Sequence, residues 1–111
     1  MSELEQKILD LGIIDLGWAK FTIKFGPPHQ ENNVDSTYGE CDFDLHTITI
    51  ASGQNDTNLK ETLIHEIIHG IQCLFGLNEE KLKHSEEQRC NLMSKGLMVL
   101  FTLNPKLKEI L

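Results

Sequence analysis

The chain has 111 residues, 40% hydrophobic and 24% charged, with a formal net charge of −7 and an isoelectric point near 5.1. That length suits one domain with one core, and the acidity argues against broad contact with a phosphate backbone, so no nucleic-acid partner is expected. There is no run of 18 apolar residues, and Met1-Ser2-Glu3-Leu4-Glu5 lacks the basic and apolar regions of a signal peptide; a cytoplasmic protein with no membrane partner is the expectation.

Ser2-Glu3-Leu4-Glu5 has the form of a capping box, and Leu4, Ile8, Leu9 and Leu11 recur helically up to Gly12, which predicts a first helix over 3–11. Residues 13–17 read as a connection. From Trp18 to Phe25 apolar Phe21, Ile23 and Phe25 alternate with Lys and Thr, predicting a half-buried strand that Gly26-Pro27-Pro28 stops. His29 to Thr37 is polar without period and reads as a loop. Tyr38–Asp42 and His46–Ile50 look like the arms of a hairpin, the second with Ile48 and Ile50 inward. The second helix is expected to start at Asn58, whose capping box closes on Glu61, and to end at Gly76. Leu59, Leu63, Ile64, Ile67, Ile68, Ile71, Leu74 and Phe75 form its apolar stripe. Asn78 to His84 suggests a short turn. Ser85-Glu86-Glu87-Gln88 opens a third helix that stops near Asn104-Pro105, and Lys106–Leu111 reads as a short docked helix or a frayed end.

Within the second helix stands His65-Glu66-Ile67-Ile68-His69, the pattern H-E-x-x-H. A shuffled chain of this composition contains about 0.02 such matches. Histidines four apart project from one helix face, so both imidazoles reach one zinc ion while the carboxylate between them serves as general base rather than ligand. Two histidines merely hydrogen-bonded at a core edge are the competing explanation. A catalytic zinc takes a third protein ligand and keeps one position open. Glu87, in the first turn of the third helix, is preferred to Glu86, His84 and His46, although the helix dipole alone also favours an acidic residue there. The cysteines Cys41, Cys73 and Cys90 form no C-x-x-C pair. Cys73, four residues after His69, is weighed as a thiolate ligand, but its place on the apolar face favours packing.

These features resemble the minimal gluzincins, in particular the ImmA/IrrE-type metallopeptidases and small phage-encoded zincin-like proteins. In that family a glutamate ligand follows the H-E-x-x-H helix in a pattern like E-x-x-A-N-x-F-A. Here Glu87, Cys90, Asn91, Met93 and Ser94 take those places, with Cys90 and Ser94 for the alanines and Met93 for the aromatic residue. Gly39–Ile50 is similar to the hairpin that precedes the metal helix in the phage proteins, and Gly96–Pro105 to their closing helix, so the likeness spans about residues 36–105. It implies an α+β zincin-like fold: an antiparallel sheet of about three strands on the metal helix, a second long C-terminal helix, and a helix at the N-terminus. It carries no helix-turn-helix module, so cleavage of a repressor partner has no support.

The reading that follows is a zinc endopeptidase with His65, His69 and Glu87 as metal ligands and Glu66 as general base. Tyr38, His46 and His84 are alternative oxyanion donors. The substrate is expected to be a peptide or protein segment that pairs with an edge strand, for which the Ile48–Ile50 arm is the candidate. The competing class is a non-catalytic zincin-fold module that keeps the metal and binds a partner protein.

Overall fold

The computed structural model describes residues 1–27, 38–76 and 85–111. The expected loop at His29–Thr37 and turn at Asn78–His84, with His84 itself, lie outside them. The architecture is α+β: four helices and a four-stranded mixed sheet, in the order α1 (Glu3–Leu11), β1 (Ile13–Asp15), β2 (Lys20–Gly26), β3 (Gly39–Asp42), β4 (Thr47–Ala51), α2 (Asp56–Leu74), α3 (Glu86–Leu103) and α4 (Leu107–Ile110). No helix among the described residues is long and apolar enough to cross a membrane.

The sheet differs from the expected one in two respects. It has four strands rather than about three, in the order β1-β2-β4-β3, and β2 pairs with β4 in parallel. The extra strand is the presumed connection after α1. Ile13, Ile14 and Asp15 pair antiparallel with Thr22, Phe21 and Lys20, and Gly17, at φ 95°, makes the tight reversal between them. Three residues are too few for alternation to be seen in sequence. The β3–β4 hairpin is as predicted, with Gly39 opposite Ile50 and Cys41 opposite Ile48. Its second arm, however, is interior, hydrogen-bonded to β2 on one side and β3 on the other; among the described residues the sheet edges are β1 and β3.

Alternation decides which face is covered. Phe21, Ile23, Ile48 and Ile50 are buried, whereas Lys20, Thr22 and Lys24 on the other face are exposed. α2 packs on β3 and β4, α1 on β2, α3 on α2 and β1, and α4 on α1. The core joins the inward strand residues to Leu4 and Ile8 of α1, Leu59, Leu63, Ile67 and Ile71 of α2, Leu100 of α3, and Leu107 and Ile110 of α4. The tail is therefore docked.

α1 begins at the predicted capping box, Ser2 Oγ accepting from the Glu5 N–H and Glu5 Oε1 from the Ser2 N–H. The other Glu5 oxygen accepts from the Gly53 N–H at 3.2 Å, so one buried carboxylate ties α1 to the loop before α2. The Ser2 N–H is the main cause of a Glu5 pKa below the ordinary 4.5; burial opposes it, and the Gly53 N–H, the Ser2 hydroxyl and the N-terminal ammonium add to it. A carboxylate with a lowered folded pKa stabilises the fold above the ordinary glutamate range, and that contribution is lost as pH falls through the lowered value. Glu5→Gln is therefore expected to cost about 1–2 kcal/mol near neutrality, where charged hydrogen bonds become neutral ones, and to flatten the acid limb of a Tm-versus-pH curve. An unchanged acid limb would show that Glu5 does not hold this junction.

α3 starts at Ser85 and its capping box with Gln88, as predicted, and ends at Asn104. The Asn104 amide explains the stop. Its Nδ2 donates to the Leu100 and Asp15 carbonyls at 2.7 Å each, and its Oδ1 accepts from the Asp15 N–H, so the cap also fastens α3 to β1.

Candidate metal centre

α2 begins one turn earlier than the sequence pattern suggested. Asn55, not Asn58, is the N-cap, its side chain accepting from the Asn58 N–H at 2.9 Å. The expected Asn58–Glu61 box is not used, which leaves both side chains on the helix flank. The end is as predicted, with Gly76 at φ 71° just beyond the Phe75 C-cap.

The core face of α2 carries Leu59, Leu63, Ile67 and Ile71, and also Thr62, Glu66 and Gly70. Ile64 is exposed and Ile68 half-buried, so the stripe is narrower than predicted. His65 and His69 sit on the exposed flank of that face. Glu66 lies about 100° of helical rotation from His65 and points inward; it is only 4% exposed. One motif thus supplies two accessible imidazoles and one sheltered carboxylate.

The two Nε2 atoms are 3.1 Å apart, and the rings meet edge to face at 77°. Donor atoms of His65, Glu66 and His69 all lie within 4.8 Å of one another, and this group can hold a metal ion. Two nitrogens bound at about 2.05 Å on tetrahedral directions stand about 3.3 Å apart, so the imidazoles are already close to ligand spacing. Glu66 Oε2 is buried and accepts no hydrogen bond. An acceptor shut away from water with no donor costs about 1–3 kcal/mol, and a metal or a water between the imidazoles and the carboxylate would supply what it lacks. Burial pushes the Glu66 pKa upward; the two histidines, His69 first, oppose that, and Glu40 adds to it.

β3 forms the wall opposite. A side chain at Gly39 would bring its Cβ to 2.7 Å from Thr62 Cγ2 and 3.1 Å from Glu66 Cγ, so only glycine lets this strand lie so close to the motif. Two residues on, burial raises the Cys41 thiol to about 12, with the Glu66 charge, Cys73 and Asp42 adding to it, so Cys41 stays a protonated packing residue. Cys73 is half-buried and does not join the metal-capable group, consistent with packing.

Glu87 and Glu86 are exposed in the first turn of α3, and neither belongs to the convergent group. α2 and α3 touch at Gly96, about 13 Å along the α3 axis from Glu87. His46 is also outside the group: it occupies the hairpin turn at φ 51° with its ring 5.3 Å from that of Phe21. Tyr38, of the three oxyanion candidates, lines a cleft beside Glu66 and His65. Sequence reasoning missed the other side chains of that cleft, Gln54, Asn58, Glu61 and Thr62; the helical spacing of the last three was the available signal.

No protein-family model matches this chain, and no match was found among curated proteins or solved structures.

Proposed function

We propose that this chain is a zinc-dependent peptidase of zincin-like design, with His65 and His69 as ligands and Glu66 as general base; Glu87, which lies outside the convergent group, is the candidate for third ligand that the sequence pattern supports. One observation carries the reading: two exposed imidazole nitrogens 3.1 Å apart beside a buried carboxylate oxygen that has no partner. A zinc ion held there would lower the pKa of water and polarise a carbonyl. Glu66 takes the proton of the attacking water and delivers it to the leaving amine, and its sheltered setting raises its basicity for that task. A peptide segment aligns by adding to β3, an edge strand among the described residues and the one that Gly39 brings against the motif. Tyr38 is the oxyanion donor best supported by position.

The expected stoichiometry is one zinc per chain, measured by elemental analysis after dialysis. His65→Ala and His69→Ala should each abolish it, and a chelator should remove both the metal and peptide cleavage until zinc is restored. Glu87→Gln should weaken zinc affinity about 10-fold or more. Unchanged affinity would move the third position to Glu86 or His84. Zinc retained by a protein that cleaves no member of a peptide library would favour the non-catalytic binding module instead.

A further inference from the structure

The polar stripe of α2 continues beyond the motif towards the helix start. Asn58, Glu61, Thr62 and His65 are spaced i, i+3, i+4 and i+7 and so share one flank. That flank is one wall of a cleft of about 490 Å³, roomy enough for a long side chain, which His65 and Glu66 also line. Gly39 and Tyr38 bound it from β3, and Gln54 from the loop before α2. Gln54 is fully engaged: Nε2 donates to the Ala51 and Tyr38 carbonyls, and Oε1 accepts from the Thr62 hydroxyl at 2.9 Å. These bonds stiffen the wall.

The charge lining this cleft has one sign. Among the described residues no lysine or arginine lines it, whereas Glu61 and Glu66 do. Glu61 is exposed and makes no ion pair or hydrogen bond with the described residues, and Glu66 Oε2 is buried and unpartnered. Lys60 is about 160° round the helix from Asn58, on the opposite flank. The positive end of the α2 dipole is near, but the Asn55 cap and Asp56 in the first turn already meet it. What the cleft lacks is a cation with an aliphatic stem, able to lie along Gly39 and the Thr62 methyl while its head meets Glu61.

We propose that the cleft receives a lysine or arginine side chain of the substrate, with the Glu61 carboxylate as ionic partner and Asn58 as a further acceptor. The assignment rests on His65, Glu66 and His69 being the reacting centre, since the cleft then flanks the bond to be cut. The test separates the two claims. Nα-acetyl-arginine amide and its norleucine counterpart are titrated into the full chain, and the backbone amide resonances of Asn58, Glu61 and Thr62 are followed. The arginine ligand is expected to bind at least about fivefold tighter, as a charge pair partly sheltered in a cleft should exceed an exposed one. Glu61→Gln should erase the difference, and Glu61→Lys should shift preference to Nα-acetyl-glutamate amide. Equal binding of arginine and norleucine, or a preference that survives both substitutions, overturns the pocket. In a peptide library, cleavage without enrichment of Lys or Arg beside the cut bond also overturns it while leaving the peptidase reading intact. Arginine-selective binding without any cleavage sinks the peptidase reading and keeps the pocket.

Discussion

Glu66→Gln is expected to lower kcat for peptide cleavage by about 10²–10⁴-fold while zinc content stays at the wild-type level, because the amide keeps the shape but cannot accept a proton. Activity assayed beside elemental analysis tests this, and comparable rates in the two proteins would remove Glu66 from the chemistry. The same substitution should stabilise the metal-free protein. Glu66 is buried, its Oε2 has no hydrogen-bond donor, and its pKa is raised chiefly by that burial. An acid with a raised folded pKa contributes stability that is complete below its unfolded value and lost as pH rises through the folded one. Wild-type apoprotein should therefore lose Tm on the alkaline side of the ordinary glutamate range, whereas Glu66→Gln should stay flat there. The expected gain near neutrality is about 1 kcal/mol, roughly 4–8 °C in Tm. A variant at once inactive and more stable marks a group kept for function against the interest of the fold.

Gly96→Ala should damage the fold without touching the motif. Its Cβ would stand 2.4 Å from Ile71 Cγ2 and 3.3 Å from Phe75 Cε2, both on α2 and its cap. Both helices must then separate, and overpacking of this kind costs about 1–3 kcal/mol even after the better helix propensity of alanine is counted. The corresponding loss is roughly 4–24 °C in Tm. Ile71→Leu removes the methyl that clashes, so the double variant Gly96→Ala/Ile71→Leu should recover part of the loss. Additive effects in that cycle would show that the α2–α3 contact lies elsewhere. Because α3 also carries Glu87, zinc affinity should fall with Gly96→Ala if that residue is a ligand.

Much of the frame was legible locally. The capping boxes at Ser2 and Ser85, the alternation of Ile48 and Ile50, and Gly12 and Gly76 at helix ends all depend on neighbours within a few residues. So does the placing of His65 and His69 on one flank. What failed did so for identifiable reasons. Asn58 and Asn55 both precede plausible helical runs, and only the Asn55 side chain reaches an unpaired N–H. β1 is too short to show a period. The parallel pairing of β2 with β4 sends β3 to the edge, a choice made by contacts distant in sequence.

By itself, then, the sequence determined most of the elements, β1 and the start of α2 excepted, and the convergence of two imidazoles, because helix geometry relates residues four apart without reference to anything else. The tertiary structure decided that Glu66 faces inward without a donor, that Gly39 brings an edge strand against it, and that an acidic cleft opens beside it. Each of those depends on which distant segment covers the helix, and that follows from packing over the whole core rather than from any local pattern.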